Sequence, residues 1–296
     1  DVKALAWYRP QLDVGCLSFL SPTHHLEVVR GDILDTEQCR KMVEGVDMVF
    51  HLAALIGIPY SYQAPRSYLQ TNIEGTLNLL EAAKDQKAKF LFMSTSEVYG
   101  TALSVPISED HPLQPQSPYS ASKIGAEALV RSYFHSFDME VYIARVFNTY
   151  GPRQSTRAIL PTIITQLAAG AKKLELGDLS PTRDLVYVDD TCLSLIDLIH
   201  CEAAVGLPVN ICTGVEISME NLVSQVQQLM NTDVPVVLDP QRQRPAGSEV
   251  LRLCGDPARL ESFGLHVPSI SLSEGLSETI SWFRDQNHHN FTKYHV

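Results

Sequence analysis

The chain has 296 residues, 45% of them hydrophobic, and a formal net charge of −11. That length and apolar content support a large buried core, as one α/β unit or two coupled lobes, and exclude a disordered chain. The acidic balance argues against nucleic acid as a partner while leaving room for an anionic small molecule held by a few arginines.

Short β-rich runs alternate with helical patterns along the first half. Strands are expected over residues 3–8, 26–29, 48–51, 89–94 and 140–146, with helices over 37–43, 69–84 and 119–137. In the second of these helices Leu77, Leu80 and Ala83 recur at helical spacing. The alternation predicts an α/β, doubly wound parallel sheet with right-handed crossovers covering both faces. From Gly151 onward, prolines such as Pro152, Pro161, Pro181 and Pro208 break the rhythm into shorter elements. The expected organisation is a Rossmann-like domain over 1–150 with returns near 184–212, a smaller C-terminal lobe over 151–183 and 213–286, and a tail over 287–296. His288 and His289 in that tail read as peripheral, and no metal is expected.

The six cysteines, at 16, 39, 192, 201, 212 and 254, have no metal-binding spacing and read as reduced core thiols. Charge interrupts every apolar stretch before the roughly 20 residues that a membrane span requires. No secretory signal is legible, so the reading is a cytoplasmic protein with no membrane partner.

A doubly wound dinucleotide domain ordinarily opens with a strand, a glycine-rich turn and a helix whose N-terminus faces the pyrophosphate. None of the sixteen glycines has that spacing, and residues 1–6 read as the second strand of such a domain. The expectation is that the first strand and its helix, about 25 to 30 residues in such domains, lie outside this sequence. The alternative is a fold that never had them.

Two segments carry chemistry. Tyr119 and Lys123 are four apart in Ser117-Pro118-Tyr119-Ser120-Ala121-Ser122-Lys123. A tyrosine that takes a proton near neutrality starts from a pKa of roughly 10 and needs a cation, which a lysine one helical turn later supplies. Upstream, Ser94-Thr95-Ser96-Glu97-Val98-Tyr99-Gly100 offers a hydroxyl and a carboxylate.

These segments resemble an extended short-chain dehydrogenase/reductase of the NAD-dependent epimerase/dehydratase family, most similar to nucleotide-sugar 4,6-dehydratases. The likeness extends through Gly31-Asp32-Ile33, His51-Leu52-Ala53-Ala54, Asn72-Ile73-Glu74-Gly75-Thr76, the run Arg145-Val146-Phe147-Asn148-Thr149-Tyr150-Gly151-Pro152-Arg153, and Arg183-Asp184-Leu185-Val186-Tyr187-Val188-Asp189-Asp190. Thr95-Ser96-Glu97 matches one of the two dehydratase forms, whereas plain epimerases usually lack the glutamate. Other stretches are similar to dehydratases acting on UDP-N-acetylglucosamine or its GDP analogue, which feed 6-deoxy-amino-sugar and nonulosonic-acid pathways.

The resemblance implies roles. Tyr119, as a phenolate stabilised by Lys123, takes the proton of the sugar 4-hydroxyl, which Thr95 orients, while C4 yields hydride to the cofactor. Glu97 removes the C5 proton as the 6-hydroxyl leaves as water. Ser96 helps protonate that leaving group, or Glu97 itself, Tyr99 or a water does so. Asp32 and Ile33, Leu52, Ala53 and Ala54, Asn72, Tyr119 and Lys123 are implied to contact NAD. Arg9, at the end of the second strand, could instead accept the 2′-phosphate of NADP or point to solvent. Asn148, Arg153, Arg157, Arg183, Arg244 and Glu249 are implied to bind the nucleotide-sugar, with solvated surface residues as the alternative for the arginines. The family also implies a homodimer formed through the helices over 69–84 and 119–137. Two other readings stand beside the dehydratase: a 4-epimerase on the same fold, which Glu97 argues against, and a non-catalytic nucleotide-sugar-binding fragment.

Overall fold

A computed structural model describes residues 1–7, 16–17, 20, 25–242 and 245–285. Arg9, Arg244, His288 and His289 lie outside the described residues.

The first half follows the expected alternation: β1 (Val2–Trp7), β2 (Leu26–Gly31), α1 (Thr36–Val43), β3 (Met48–His51), α2 (Ile58–Gln63), α3 (Pro65–Leu69), a π-helical turn (Gln70–Glu74), α4 (Gly75–Gln86), β4 (Lys89–Thr95), α5 (Pro118–Phe137) and β5 (Val141–Val146). The second half contains β6 (Asn148–Tyr150), α6 (Ile159–Ala168), β7 (Leu174–Leu176), β8 (Thr182–Tyr187), α7 (Val188–Ile199), β9 (Pro208–Ile211), β10 (Glu216–Ser218), α8 (Met219–Leu229), β11 (Val236–Leu238), α9 (Ala258–Ser262) and α10 (Leu272–Asp285). The fold is a parallel-sheet, Rossmann-like α/β fold.

Among the described residues the strands of the first half, with β9, form two parallel sheets rather than one. β3, β4, β5 and β9 form a parallel four-stranded sheet in the order β3-β4-β5-β9, while β1 and β2 pair parallel by themselves. Apolar packing rather than strand pairing joins them, because Ile33, Cys39 and Val43 share a core with Leu80 and Ala83 of α4 and with Phe90 and Phe92 of β4. On the other face, Leu91, Tyr142, Ala144 and Val146 pack against Leu195, Leu198 and Ile199 of α7. β4 and β5, covered on both sides, therefore read as near-continuous apolar runs.

Local signals explain the helix ends. Asp35 caps α1 by accepting from the Gln38 amide at 3.0 Å, with Glu37 in the first turn and Arg40 and Lys41 in the last, as the helix dipole favours. In α4, Leu80 and Ala83 are fully buried and Leu77 packs half-buried beside them. A third core gathers Leu160, Ile163 and Ile164 of α6 with Leu222 and Val226 of α8 and Leu276, Ile280 and Phe283 of α10. It lies beside the sheet β10-β8-β6, in which β6 and β8 run parallel and β10 antiparallel to β8.

The cysteine reading needs correction. Cys39, Cys212 and Cys254 are buried and Cys201 half-buried, but Cys16 and Cys192 are exposed. Cys192 lies at the edge of the outer face of α7, with Leu193 and Ile196, while the buried face is centred on Thr191, Ser194 and Leu198.

Candidate active site

The site forms at the carboxyl end of β4, where strands of an open parallel sheet leave a crevice for ligands. Thr95 ends the strand and caps a 3-10 turn, Ser96–Tyr99, its hydroxyl accepting from the Glu97 amide at 3.2 Å. Gly100 closes the turn at φ +64°, where a side chain would also run into the Gln114 carbonyl. Ser96 and Glu97 are thereby held buried beside the strand end.

α5 supplies the second half. Ser117 and Ser120 form a reciprocal capping box and Pro118 occupies the first helical position, fixing the start of the helix. Tyr119 therefore sits in the first turn and Lys123 one turn on. The two chemical segments meet, since Thr95 and Glu97 both lie close enough to Tyr119 to act on its hydroxyl. Burial pushes the Tyr119 hydroxyl well above the ordinary tyrosine range; Thr95 opposes this, while Glu97 and Tyr68 add to it. Lys123 points its ammonium at the Met93 carbonyl, 2.7 Å away, and over the Phe92 ring at 4.1 Å. Burial brings Lys123 down to about 7, against the pull of Glu127.

Around this centre, the Tyr68 ring meets Tyr119 edge-on at 6.3 Å, and its hydroxyl donates to the Gly57 carbonyl. Arg157 reaches the same corner: its charge acts on Tyr68, and its Nη1 lies 3.7 Å from where a Cβ on Gly57 would be. Asn72 is buried and its amide ties the loop after β3 to α5, donating to the Leu55 carbonyl and to Ser122 while accepting from the Leu55 amide. That loop leaves Leu52 and Ala53 exposed and Ala54 half-buried. Asp32 accepts from the Leu34 amide and Ile33 is buried in the core.

From the second half, Ser248 donates to the Gln116 carbonyl just ahead of α5 and meets the Tyr62 hydroxyl on α2, both at 2.5 Å. Glu249 follows directly and pairs with Arg183 at 3.3 Å. Asn148, Arg153 and Arg157 are exposed, with Arg153 at φ +67°.

Tyr99 is not available as a proton shuttle. Its hydroxyl is fully buried, donating to Asn210 at 2.6 Å and accepting from Arg145 at 3.0 Å, and burial raises it far above the usual range despite Arg145. The residues that the motif reading passed over are Arg145 and Glu127, an ion pair at 2.8 Å behind the turn. Both left a signal: Glu127 follows Lys123 at the four-residue helical spacing, and Arg145 is the lone charge in the apolar strand Val141–Val146.

Residues 13–279 match the family model described as GDP-mannose 4,6 dehydratase. The low-salt glycan biosynthesis protein Agl12 of Haloferax volcanii is 39% identical over 198 residues, 67% of this chain and 63% of that protein, so the chain spans less than two thirds of this relative. The dTDP-glucose 4,6-dehydratase of Streptomyces antibioticus is 33% identical over 258 residues, 87% of this chain and 76% of that enzyme. Among solved structures, a double mutant of the dTDP-glucose 4,6-dehydratase DesIV from Streptomyces venezuelae, crystallised with NAD, superposes with a TM-score of 0.83 at 30% identity, covering 91% of this chain and 83% of that one. A UDP-N-acetylglucosamine 4-epimerase from Methanobrevibacter ruminantium gives 0.84 at 27% identity, covering 95% and 89%. The chain thus belongs to the GDP-mannose 4,6-dehydratase family of nucleotide-sugar enzymes, within the NAD-dependent epimerase/dehydratases of the extended short-chain dehydrogenase/reductase type.

Proposed function

We propose that this protein is a nucleotide-sugar 4,6-dehydratase acting on UDP- or GDP-N-acetylglucosamine, converting it to the 4-keto-6-deoxy derivative. The observation that supports the reading is the Thr95-Ser96-Glu97 turn at the end of β4, whose buried Glu97 lies close enough for its charge to act on Tyr119. A 4-epimerase needs the acceptor but no base for C5, so a buried Glu97 at this position favours the dehydratase over the epimerases that share the fold.

The donor set suits NAD(P): Lys123 and Tyr119 offer an ammonium and a phenol, and Ala53 and Ala54 leave no bulky side chain at the end of β3. When bound, this cofactor supplies the acceptor and later the donor of hydride. The chain's own residues do the rest. Thr95 orients the sugar 4-hydroxyl and Tyr119 takes its proton. Tyr119 is held protonated by its buried setting, so it needs added positive charge to act as a base, and Lys123, one helical turn further along α5, is assigned as its source. Glu97 removes the proton at C5 once C4 is a ketone, and Ser96 contacts the departing 6-hydroxyl. Arg153, Arg157, Arg183 and Arg244 are assigned to the diphosphate, Asn148 to phosphate or sugar at the lobe junction, and Glu249 to the nucleoside ribose. Asp32, Ile33, Leu52 and Asn72 are assigned to the cofactor cleft, and Arg9 to the 2′-phosphate should the cofactor be NADP. A homodimer through α4 and α5 completes the proposal.

Incubating the protein with NAD or NADP and, separately, UDP-N-acetylglucosamine, GDP-N-acetylglucosamine, dTDP-glucose and GDP-mannose tests it by mass spectrometry. Loss of one water from an N-acetylglucosamine nucleotide is expected. Isomerisation without mass change would replace the dehydratase by an epimerase, and water loss from dTDP-glucose or GDP-mannose alone would overturn the substrate.

A further inference from the structure

Behind the catalytic turn lies a closed polar network. Arg145 is 3% exposed and spends its guanidinium on four contacts: Nε and Nη2 each meet Glu127 Oε1 at 2.8 Å, while Nη1 donates to the Tyr99 hydroxyl at 3.0 Å and to the Glu109 carbonyl at 2.9 Å. The other oxygen of Glu127, a residue 2% exposed, accepts from Ser94 at 3.2 Å. A carboxylate held at one oxygen by a guanidinium that is itself anchored, and at the other by a hydroxyl, cannot rotate away. Four residues earlier on the same helical stripe is Lys123, 4% exposed, whose ammonium meets a backbone carbonyl and an aromatic face.

A lysine in such a place is driven to shed its proton, because burial penalises the charged form. The groups facing it are few. His51 on β3 is held neutral by its own burial, down to about 3, and adds no positive charge. Tyr119, on the same helix, is protonated and uncharged. Glu127 is the anion acting on Lys123, and the proton acceptor can draw on Lys123 only while Lys123 carries its proton.

We propose that Glu127, locked in place by Arg145 and Ser94, is a positioning residue that keeps Lys123 an ammonium inside the buried site. The proposal rests on the reading of Tyr119 and Lys123 as the acid–base pair, and it adds the residue that maintains the charge of that pair. It also gives Arg145 a second task, since the same guanidinium holds Tyr99 two residues beyond Glu97 and so ties both halves of the site to one anchor.

The test is an NMR titration of the Lys123 amine in protein labelled with [15N]lysine, assigned by its loss in Lys123→Arg and recorded without substrate. In Glu127→Gln the midpoint is expected to fall by at least one pH unit, a tenfold loss of ammonium at a given pH, with Glu127→Asp restoring part of it. A folded Glu127→Gln protein whose Lys123 titrates as wild type overturns the proposal. Should that variant fail to fold around its unpaired arginine, the double variant Glu127→Gln/Arg145→Met carries no orphaned buried charge, and its midpoint must fall as well; an unchanged midpoint there is equally fatal. In the folded variant, turnover should show a lowered kcat with KM within about twofold, and an alkaline limb displaced to lower pH. Because the titration needs no substrate, a shifted midpoint in a protein that removes no water from any sugar nucleotide would refute the proposed reaction and leave the role of Glu127 standing.

Discussion

Lys123 on α5 and Met93 on β4 are joined by a 2.7 Å hydrogen bond from the ammonium to the backbone carbonyl. Met93 lies two residues before Thr95, so the bond registers the helix carrying Tyr119 against the strand carrying the hydroxyl that meets it. One side chain thereby serves both geometry and charge.

The charge has a stability consequence. The folded value for Lys123, about 7, is below its ordinary 10.5, so between those limits the unfolded chain binds more protons and stability rises with pH. Denaturant unfolding at pH 7 and pH 9 should show wild type gaining about 1 to 3 kcal/mol over Lys123→Met, since each tenfold change in proton affinity is worth roughly 1.4 kcal/mol. An equal change in both proteins would refute this. Lys123→Met should also lose turnover by about 10²-fold or more.

Glu97→Gln separates the two halves of the proposed reaction. Oxidation at C4 requires only Thr95, Tyr119 and Lys123, so the variant should accumulate reduced nicotinamide absorbance on adding substrate while water loss falls by about 10²-fold or more. Water loss at the wild-type rate would remove Glu97 from the mechanism.

Tyr119→Phe should block both halves and spare binding. In the proposed reaction the phenol is the proton acceptor, so turnover should drop by about 10²- to 10⁴-fold, while calorimetry should return a sugar-nucleotide Kd within a few-fold of wild type. Loss of binding equal to loss of rate would mark Tyr119 as a docking residue only.

Tyr99→Phe should act on stability. It leaves Asn210 and Arg145 each short of a partner in the core, a loss of about 1 to 3 kcal/mol for an unsatisfied buried polar group. The folded variant should keep its pH–rate profile. A lost limb in that profile would restore Tyr99 as a proton carrier.

Thiol labelling offers a check on the fold. Cys192 on the outer side of α7 should react with a maleimide in the native protein, while Cys39, Cys212 and Cys254 should react only after unfolding.

The sequence alone determined what rests on short-range pattern. Periodicity placed β1 to β5, α1 and α5 within two residues and merged α4 with the π-helical turn before it, because apolar spacing acts over one or two turns. The spacing of Tyr119 and Lys123 singled them out as the candidate proton acceptor and its cation for the same reason. The tertiary structure decided what depends on residues far apart in the chain. Only folding brings Arg145 to Glu127 and Tyr99, turns Tyr99 away from the chemistry, sets Ser248 against Gln116, and leaves Cys192 outside while Cys212 is buried. Packing between distant segments fixes which polar groups lose water, and the loss of water sets their charge. That is why the candidate catalytic residues could be proposed from their order, while the contacts of Glu127 with Arg145 and Ser94 could not.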